Sequence, residues 1–190
     1  PKYTISVRWR FFSKAVERVG EESYPIHIKL DTGMHRLGFM EGELDMLTET
    51  LGETPSVKVA TIFSHLNCSD MPQEDRYTRE QIARFDRMSG RLAAALPYPV
   101  LRHTANSAAI ERFPEAQFDM CRLGLGLYGF GFEHNDELNP VSTLKSRIVQ
   151  LKHLSAGEAV GYGRAGKLTR DSVTATVPMG YADGLDRHLG

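Results

Sequence analysis

From Pro25 the chain alternates with a period of two. Ile26, Ile28 and Leu30 take one parity, and His27, Lys29 and Asp31 take the other. The pattern predicts a strand that breaks at Thr32-Gly33 and delivers Arg36, a bidentate anion binder, beside the strand end. A polar face on a buried strand is costly to fold unless it looks into a site. In the run VKVATIFSHL, Val57, Val59, Thr61, Phe63 and His65 share one parity. This run is apolar on both faces up to Ser64, as strands of parallel sheets are. Helical spacing takes over between and after these strands. Met40, Leu44, Leu47 and Leu51 form one stripe, with Glu41 and Glu43 suited to a helix N-terminus. Ile82, Phe85, Met88, Leu92 and Leu96 form a longer one within Asp75 to Leu96, bracketed by Pro97 and Pro99.

Weaker patterns fill the remainder. Tyr3 to Val7 alternates as a strand, and Trp9 to Val19 carries Phe11, Phe12, Ala15, Val16 and Val19 on a helical face. Val100 to His103 is a short strand running into ANSAA, Ser107 to Phe113 a helix, and Phe118 to Leu123 a strand before Gly124, Gly126 and Gly129. Strand and helix alternate about four times, which predicts a parallel α/β sheet. A (β/α)8 barrel of the TIM type needs about 250 residues, so only its later half is expected here. Beyond Pro140 the pattern changes: Thr143 to Leu154, Ala159 to Gly163 and Ser172 to Met179 read as strands with no long helix between them. The expected organisation is a partial α/β barrel over residues 1–140 and the start of a β-rich C-terminal domain over 141–190. The chain opens on Pro1 and stops after a motif-rich stretch, so it reads as a fragment.

Composition narrows the function classes. The 190 residues are 41% hydrophobic and 25% charged, with a net charge of −1. No general attraction to nucleic acid or to an anionic membrane follows. The apolar runs are too short to span a bilayer. Cys68 and Cys121 make neither a metal spacing nor a disulfide framework, which points to a reducing cytoplasm.

In a barrel, the C-terminal strand ends build the site. Here those ends carry Lys29 with Asp31, then His65, then His103, then Arg122. The Asp31-Thr32-Gly33 triplet has no second acidic motif to pair with, so aspartic-protease chemistry is set aside. Lys29, His65, His103 and Asp119 resemble the ligand order of metal-dependent amidohydrolase barrels. Against that reading, Arg122 lies nearer the site than Asp119 and would repel a cation. RLGLGLYG at Arg122 to Gly129 puts a glycine-rich turn after a strand, and Ser107 adds a hydroxyl at a helix start. Together with two arginines they read as a phosphate cradle.

KLDTGMHRLGF, FSHLNCSD, HTANSAA, MCRLGLGLYG, GEAVGYGR and PMGYADGLDRHLG resemble, in order, the motifs of alanine racemases. The resemblance runs from about Pro25 onward and implies pyridoxal 5'-phosphate (PLP) as cofactor, a homodimer, and interconversion of L- and D-alanine for peptidoglycan synthesis. It implies that Tyr162 is the catalytic tyrosine, acting from the partner subunit, with His65 hydrogen-bonded to it and Arg122 behind His65. A phenol, with a pKa of about 10, needs such help to act as a base at neutral pH. Arg122 is further implied to contact the cofactor's pyridine nitrogen, and Arg36 its phenolic oxygen and the substrate carboxylate. Lys29 matches a lysine carbamylated in many relatives. Ser107 and the N–H groups of Gly124 and Leu125 match phosphate contacts; Tyr181, with Asp183 in the same motif, matches the substrate entry. His35 stands where many relatives have a small residue. No lysine here matches the motif of the cofactor lysine, so the chain alone is expected to be inactive and short of strand neighbours. The rival readings are the metal-dependent amidohydrolase and a non-catalytic PLP-binding relative.

Overall fold

The computed structural model describes residues 3–5, 23–186 and 188. It divides into two units, Pro1–Val141 and Ser142–Gly190. Val141 belongs with the first, where its N–H donates to the Tyr128 carbonyl (3.5 Å).

The first unit is a four-stranded parallel sheet in the order β1 (Tyr3–Ile5), β2 (Tyr24–Lys29), β3 (Val57–Phe63), β4 (Leu101–His103). Helix α1 (Leu44–Gly52) connects β2 to β3, and α2 (Asp75–Ala94) connects β3 to β4. A short α3 (Ser107–Arg112) follows β4. Sequential parallel strands joined by helices are the repeating unit of a β/α barrel. The helix expected over Trp9 to Val19, and the end of the strand before it, lie outside the described residues.

Both periodicities meet in one core. Ile26, Ile28 and Leu30 from β2 and the residue after it, Val57, Val59 and Ile62 from β3, Leu44 and Leu47 from α1, and Phe85, Met88 and Leu92 from α2 pack together, each at most 6% exposed. Side chains of this size stabilise a fold by about 1.5–3 kcal/mol each when fully buried. Helix α2 is joined to the turn before α1 by Arg87–Glu41 (2.9 and 3.0 Å) and to α1 itself by Arg91–Asp45. These pairs are solvent-exposed and add little to stability. A second cluster of Leu66, Ile82, Ala105, Ala109, Phe113 and Ala116 holds α3 against the strand ends.

The shared face expected for Val57, Val59, Thr61, Phe63 and His65 does not form. Ile26 pairs with Val59 but His27 pairs with Thr61, so Ala60 is an extra residue, a β-bulge. One inserted residue reverses the parity of everything after it. Val57, Val59 and Ile62 therefore face the helices, while Thr61 bonds His27 and Phe63 stacks on His103 on the other side. The strand expected over Phe118 to Leu123 is also not regular. Phe118 has φ +49°, which interrupts extended backbone, and two hydrogen bonds lace the segment to its neighbour instead: Asp119 N–H to Arg102 O and Arg122 N–H to Ala105 O, both 3.0 Å.

The second unit has two antiparallel pairs, β5 (Gln150–Leu154) with β8 (Ser172–Thr176) and β6 (Ala159–Val160) with β7 (Gly166–Lys167). Its strands are shorter than their alternation implied. Regular pairing between β5 and β8 runs from Gln150–Thr176 to Leu154–Ser172, with one further bond from Val149 N–H to Thr176 O (2.9 Å). Among the described residues no helix is long and apolar enough to cross a membrane.

Phe85 is 0% exposed at the centre of the first core. Phe85→Ala is expected to lower stability by about 3–5 kcal/mol, measured by urea unfolding.

Candidate active site

Arg122 is the hub of the strand ends. Its Nη1 donates to His103 Nδ1 (2.7 Å), and its Nη2 to Ser64 O (2.7 Å), His65 Nδ1 (3.1 Å) and Thr104 O (3.1 Å). The guanidinium lies 5.6 Å from the centre of the Phe63 ring, and Phe63 stacks on His103 at 5.2 Å and 7°. All of these partners are neutral, and among the described residues the Nε–H donates to nothing. Burial lowers the pKa of Arg122 but a guanidinium stays charged.

Burial and that charge together set the state of both histidines. Burial first, and then the charges of Arg122, Lys29 and Arg36, hold the pKa of His65 at about 4. Burial first, and then Arg122 and His27, do the same for His103, also at about 4. A guanidinium only donates, so each neutral ring accepts at Nδ1 and carries its hydrogen on Nε2.

The turn after β2 carries Arg36 and is over-determined. Asp31 Oδ1 accepts from the N–H groups of Gly33 and His35, both at 3.0 Å, and its Oδ2 meets His35 Nδ1 at 3.2 Å. Burial pushes the Asp31 pKa up, but the two N–H groups and the His35 ring outweigh it, and the net shift is down. His35 takes φ +52° and is tied to Asp31, while Arg36 beside it is exposed. The loop closes where Asp31 and Phe39 meet across Gly38, and any Cβ at Gly38 would run into the backbone of Leu30 and Asp31. From outside, α2 clamps the same turn: Tyr77 Oη donates to Gly33 O (2.8 Å) and Arg84 Nη1 to Thr32 O (2.9 Å). Lys29 is buried at the base of the turn. Its pKa is lowered, by burial first and then by Arg36, with Asp31 opposing.

Ser107 opens α3, which is capped by Asn106 accepting from Ala109 N–H (3.0 Å). Arg112, at the other end of α3, is anchored to Ser69 O and Asp75 (both 2.7 Å) between the rings of Phe113 and Phe132. Ser107 Oγ accepts from the N–H groups of Gly124 (2.9 Å) and Gly126 (3.2 Å). Its own hydrogen is left for a further acceptor, and the Leu125 N–H donates to nothing among the described residues.

Tyr162 and Tyr181 belong to the second unit. Tyr162 is 98% exposed on a 3-10 turn flanked by Gly161 (φ +83°) and containing Gly163 (φ +66°). Tyr181 opens another 3-10 turn, Tyr181–Asp183, whose Asp183 carboxylate accepts the Gly180 N–H at 2.9 Å. The metal set does not assemble. Arg122 occupies Nδ1 of both His65 and His103, and Asp119 Oδ2 is taken by the Arg102 N–H at 2.7 Å.

The chain is similar to known proteins over most of its length. The family profile "Alanine racemase, N-terminal domain" matches residues 8–131, and "Alanine racemase, C-terminal domain" matches 141–190. The chain belongs to the alanine racemase family. The alanine racemase of Sorangium cellulosum is 40% identical over 166 residues, 86% of this chain and 44% of that protein. The solved alanine racemase of Streptomyces coelicolor superposes with a TM-score of 0.87 at 29% identity, over 98% of this chain and 51% of that one. The Bartonella henselae alanine racemase, solved with covalently bound pyridoxal phosphate, superposes with a TM-score of 0.76 at 28% identity, again over 98% and 51%. The chain thus spans less than half the length of the curated alanine racemases it matches. The expected fold holds: part of an α/β barrel, then a β-rich C-terminal domain, as in these racemases.

Several residues around the racemase motifs escaped the sequence reading. Thr61 and His27 stand out only as strand positions, and nothing in the sequence pattern singles out Tyr77 or Arg84. A hydroxyl within an otherwise apolar run was the available signal for Thr61.

The two histidines give a pH prediction. Each has a folded pKa of about 4 against an ordinary 6.5. Between those values the unfolded chain binds more protons, so stability falls as pH drops through that window. The urea midpoint is expected to be level above about pH 7 and to decline toward pH 4, with a shallower decline in His103→Asn.

Proposed function

We propose that this chain carries the cofactor-ring side of an alanine racemase site, interconverting L- and D-alanine to supply peptidoglycan precursors in the cytoplasm. The observation that carries the reading is Arg122, a partly buried guanidinium with neutral partners and an Nε–H left over. A pyridine nitrogen is a neutral acceptor that such a donor fits. The racemase of Bartonella henselae, solved with covalently bound pyridoxal phosphate, supports that cofactor. Pyridoxal phosphate, when bound, withdraws electrons from the Cα of an amino acid and so acidifies its α-proton.

The chain's own residues divide the remaining work. Arg122 does not give up its proton at neutral pH, so it leaves a ring nitrogen unprotonated and moderates the electron withdrawal. That limits side reactions and suits a racemase. Ser107, through its remaining hydrogen, and Leu125, through its N–H, hold the phosphate. Gly124 contributes by orienting Ser107. Arg36 binds the substrate carboxylate and the cofactor's phenolic oxygen. Lys29 adds CO2 through its neutral amine, which burial favours, releasing a proton to solvent, and the resulting carbamate anion steadies Arg36. Tyr162, supplied across a homodimer, moves the α-proton at its phenolic oxygen. His65 donates from Nε2 to that oxygen and favours the phenolate. Tyr181 lines the entry for alanine. Exposed Leu125, Leu127, Tyr128 and Phe130 form an apolar run that supports a subunit contact.

Titration of the purified chain with pyridoxal phosphate, followed by its absorbance, tests the reading. Saturable binding is expected, weakened by more than about tenfold in Arg122→Glu, where a charge-assisted bond is replaced by repulsion. No saturable binding overturns it. In the enzyme as it works in the cell, Tyr162→Phe is expected to cut racemisation by about 10²–10⁴-fold, read with D-amino-acid oxidase. Unchanged racemisation overturns the role given to Tyr162, and no racemisation by the wild-type enzyme favours the non-catalytic relative.

A further inference from the structure

We propose that Thr61 is a positioning residue of the Arg122 pocket, its hydroxyl bridging His103 and His27 so that the His103 ring presents Nδ1 to Arg122. Thr61 Oγ1 lies 3.1 Å from His103 Nε2 and 2.7 Å from His27 Nδ1. Both Thr61 and His103 are 6% exposed, so neither bond competes freely with water.

The donors can be followed one by one. Arg122 Nη1 donates to His103 Nδ1 at 2.7 Å, so that nitrogen has no hydrogen. The neutral ring then carries its hydrogen on Nε2, which donates to Thr61 Oγ1. The Thr61 hydrogen remains, and His27 Nδ1 is its acceptor. A hydroxyl can accept on one side and donate on the other, and an aliphatic side chain of the same size can do neither. Three bonds running in one sense from a cation polarise one another.

Stacking alone would not orient the ring. Phe63 fixes the plane of His103, at 7° and 5.2 Å, but a stacked ring can still flip by 180° about Cβ–Cγ, which keeps the plane and exchanges its nitrogen and carbon edges. Contacts at both nitrogens remove that freedom, with Arg122 on one and Thr61 on the other. Thr61 reaches this face because of the bulge at Ala60; in a regular strand it would share the parity of Val59 and enter the helix-side core. The purpose served by a fixed Arg122 rests on the racemase reading; the arrangement of the four side chains does not.

The test uses the full chain with 15N-labelled histidine and long-range 1H–15N correlation spectra, with His103→Asn and His27→Asn assigning the signals. Wild type is expected to show His103 with hydrogen on Nε2. Thr61→Ser is expected to keep that pattern and Thr61→Val to lose it. Pyridoxal phosphate binding is expected to loosen by about tenfold in Thr61→Val and to recover to within about twofold in Thr61→Ser, the scale of one lost hydrogen bond. His103 carrying hydrogen on Nδ1 in wild type, or His103 signals unchanged in Thr61→Val, overturns the proposal. Should Thr61→Val not fold, the wild-type and Thr61→Ser spectra decide: the proposal stands only if both show the Nε2–H form. An intact histidine pattern without cofactor binding would overturn the racemase reading and leave this one standing.

Discussion

A partly buried cation held among neutral acceptors is the constraint on which the site depends. Arg122 touches two imidazole nitrogens and three backbone carbonyls, and no carboxylate is among them. A carboxylate would pair with the charge and quench it. Neutral partners hold the guanidinium in place and leave its field intact. Burial first, and then that field, keep His65 and His103 neutral, with Lys29 and Arg36 adding to it at His65 and His27 at His103. The pocket is thereby electropositive without being crowded with protons, which is what an anionic cofactor with a basic ring nitrogen requires.

The sheet separates this pocket from the stabilising core. On one side, strand residues meet α1 and α2 in a dry cluster. On the other, polar residues of the same strands are wired to one another. The bulge in β3 divides the two roles within a single strand, so Val57 and Val59 serve the core while Thr61 and Phe63 serve the pocket. Helix α2 spans both tasks. Its apolar stripe fills the core, and Tyr77 and Arg84 hold the carbonyls of the turn that presents Arg36. A core substitution on α2 can therefore disturb the pocket without touching it.

Much of this was legible before the structure. The period-two pattern around Ile28 and the helical stripe through Phe85 located the main elements of the first unit. The residues at the strand ends, Lys29, His65, His103 and Arg122, were picked out in chain order, and the structure brings His65 and His103 onto Arg122. Less was legible in the second unit, where alternation outran the pairing available to it. Phe118 to Leu123 has the composition of a strand, but a left-handed residue at its start deflects the backbone.

What the sequence alone determined was the set of elements and the identity of the charged groups, because periodicity and side-chain chemistry are local properties. What only the tertiary structure decided was which of them meet. An extra residue in β3 cannot be read from alternation, since it exists only as a mismatch with the partner strand. The protonation of His103 is likewise written nowhere in the chain. It follows from a guanidinium nineteen positions away, carried to within 2.7 Å by the fold.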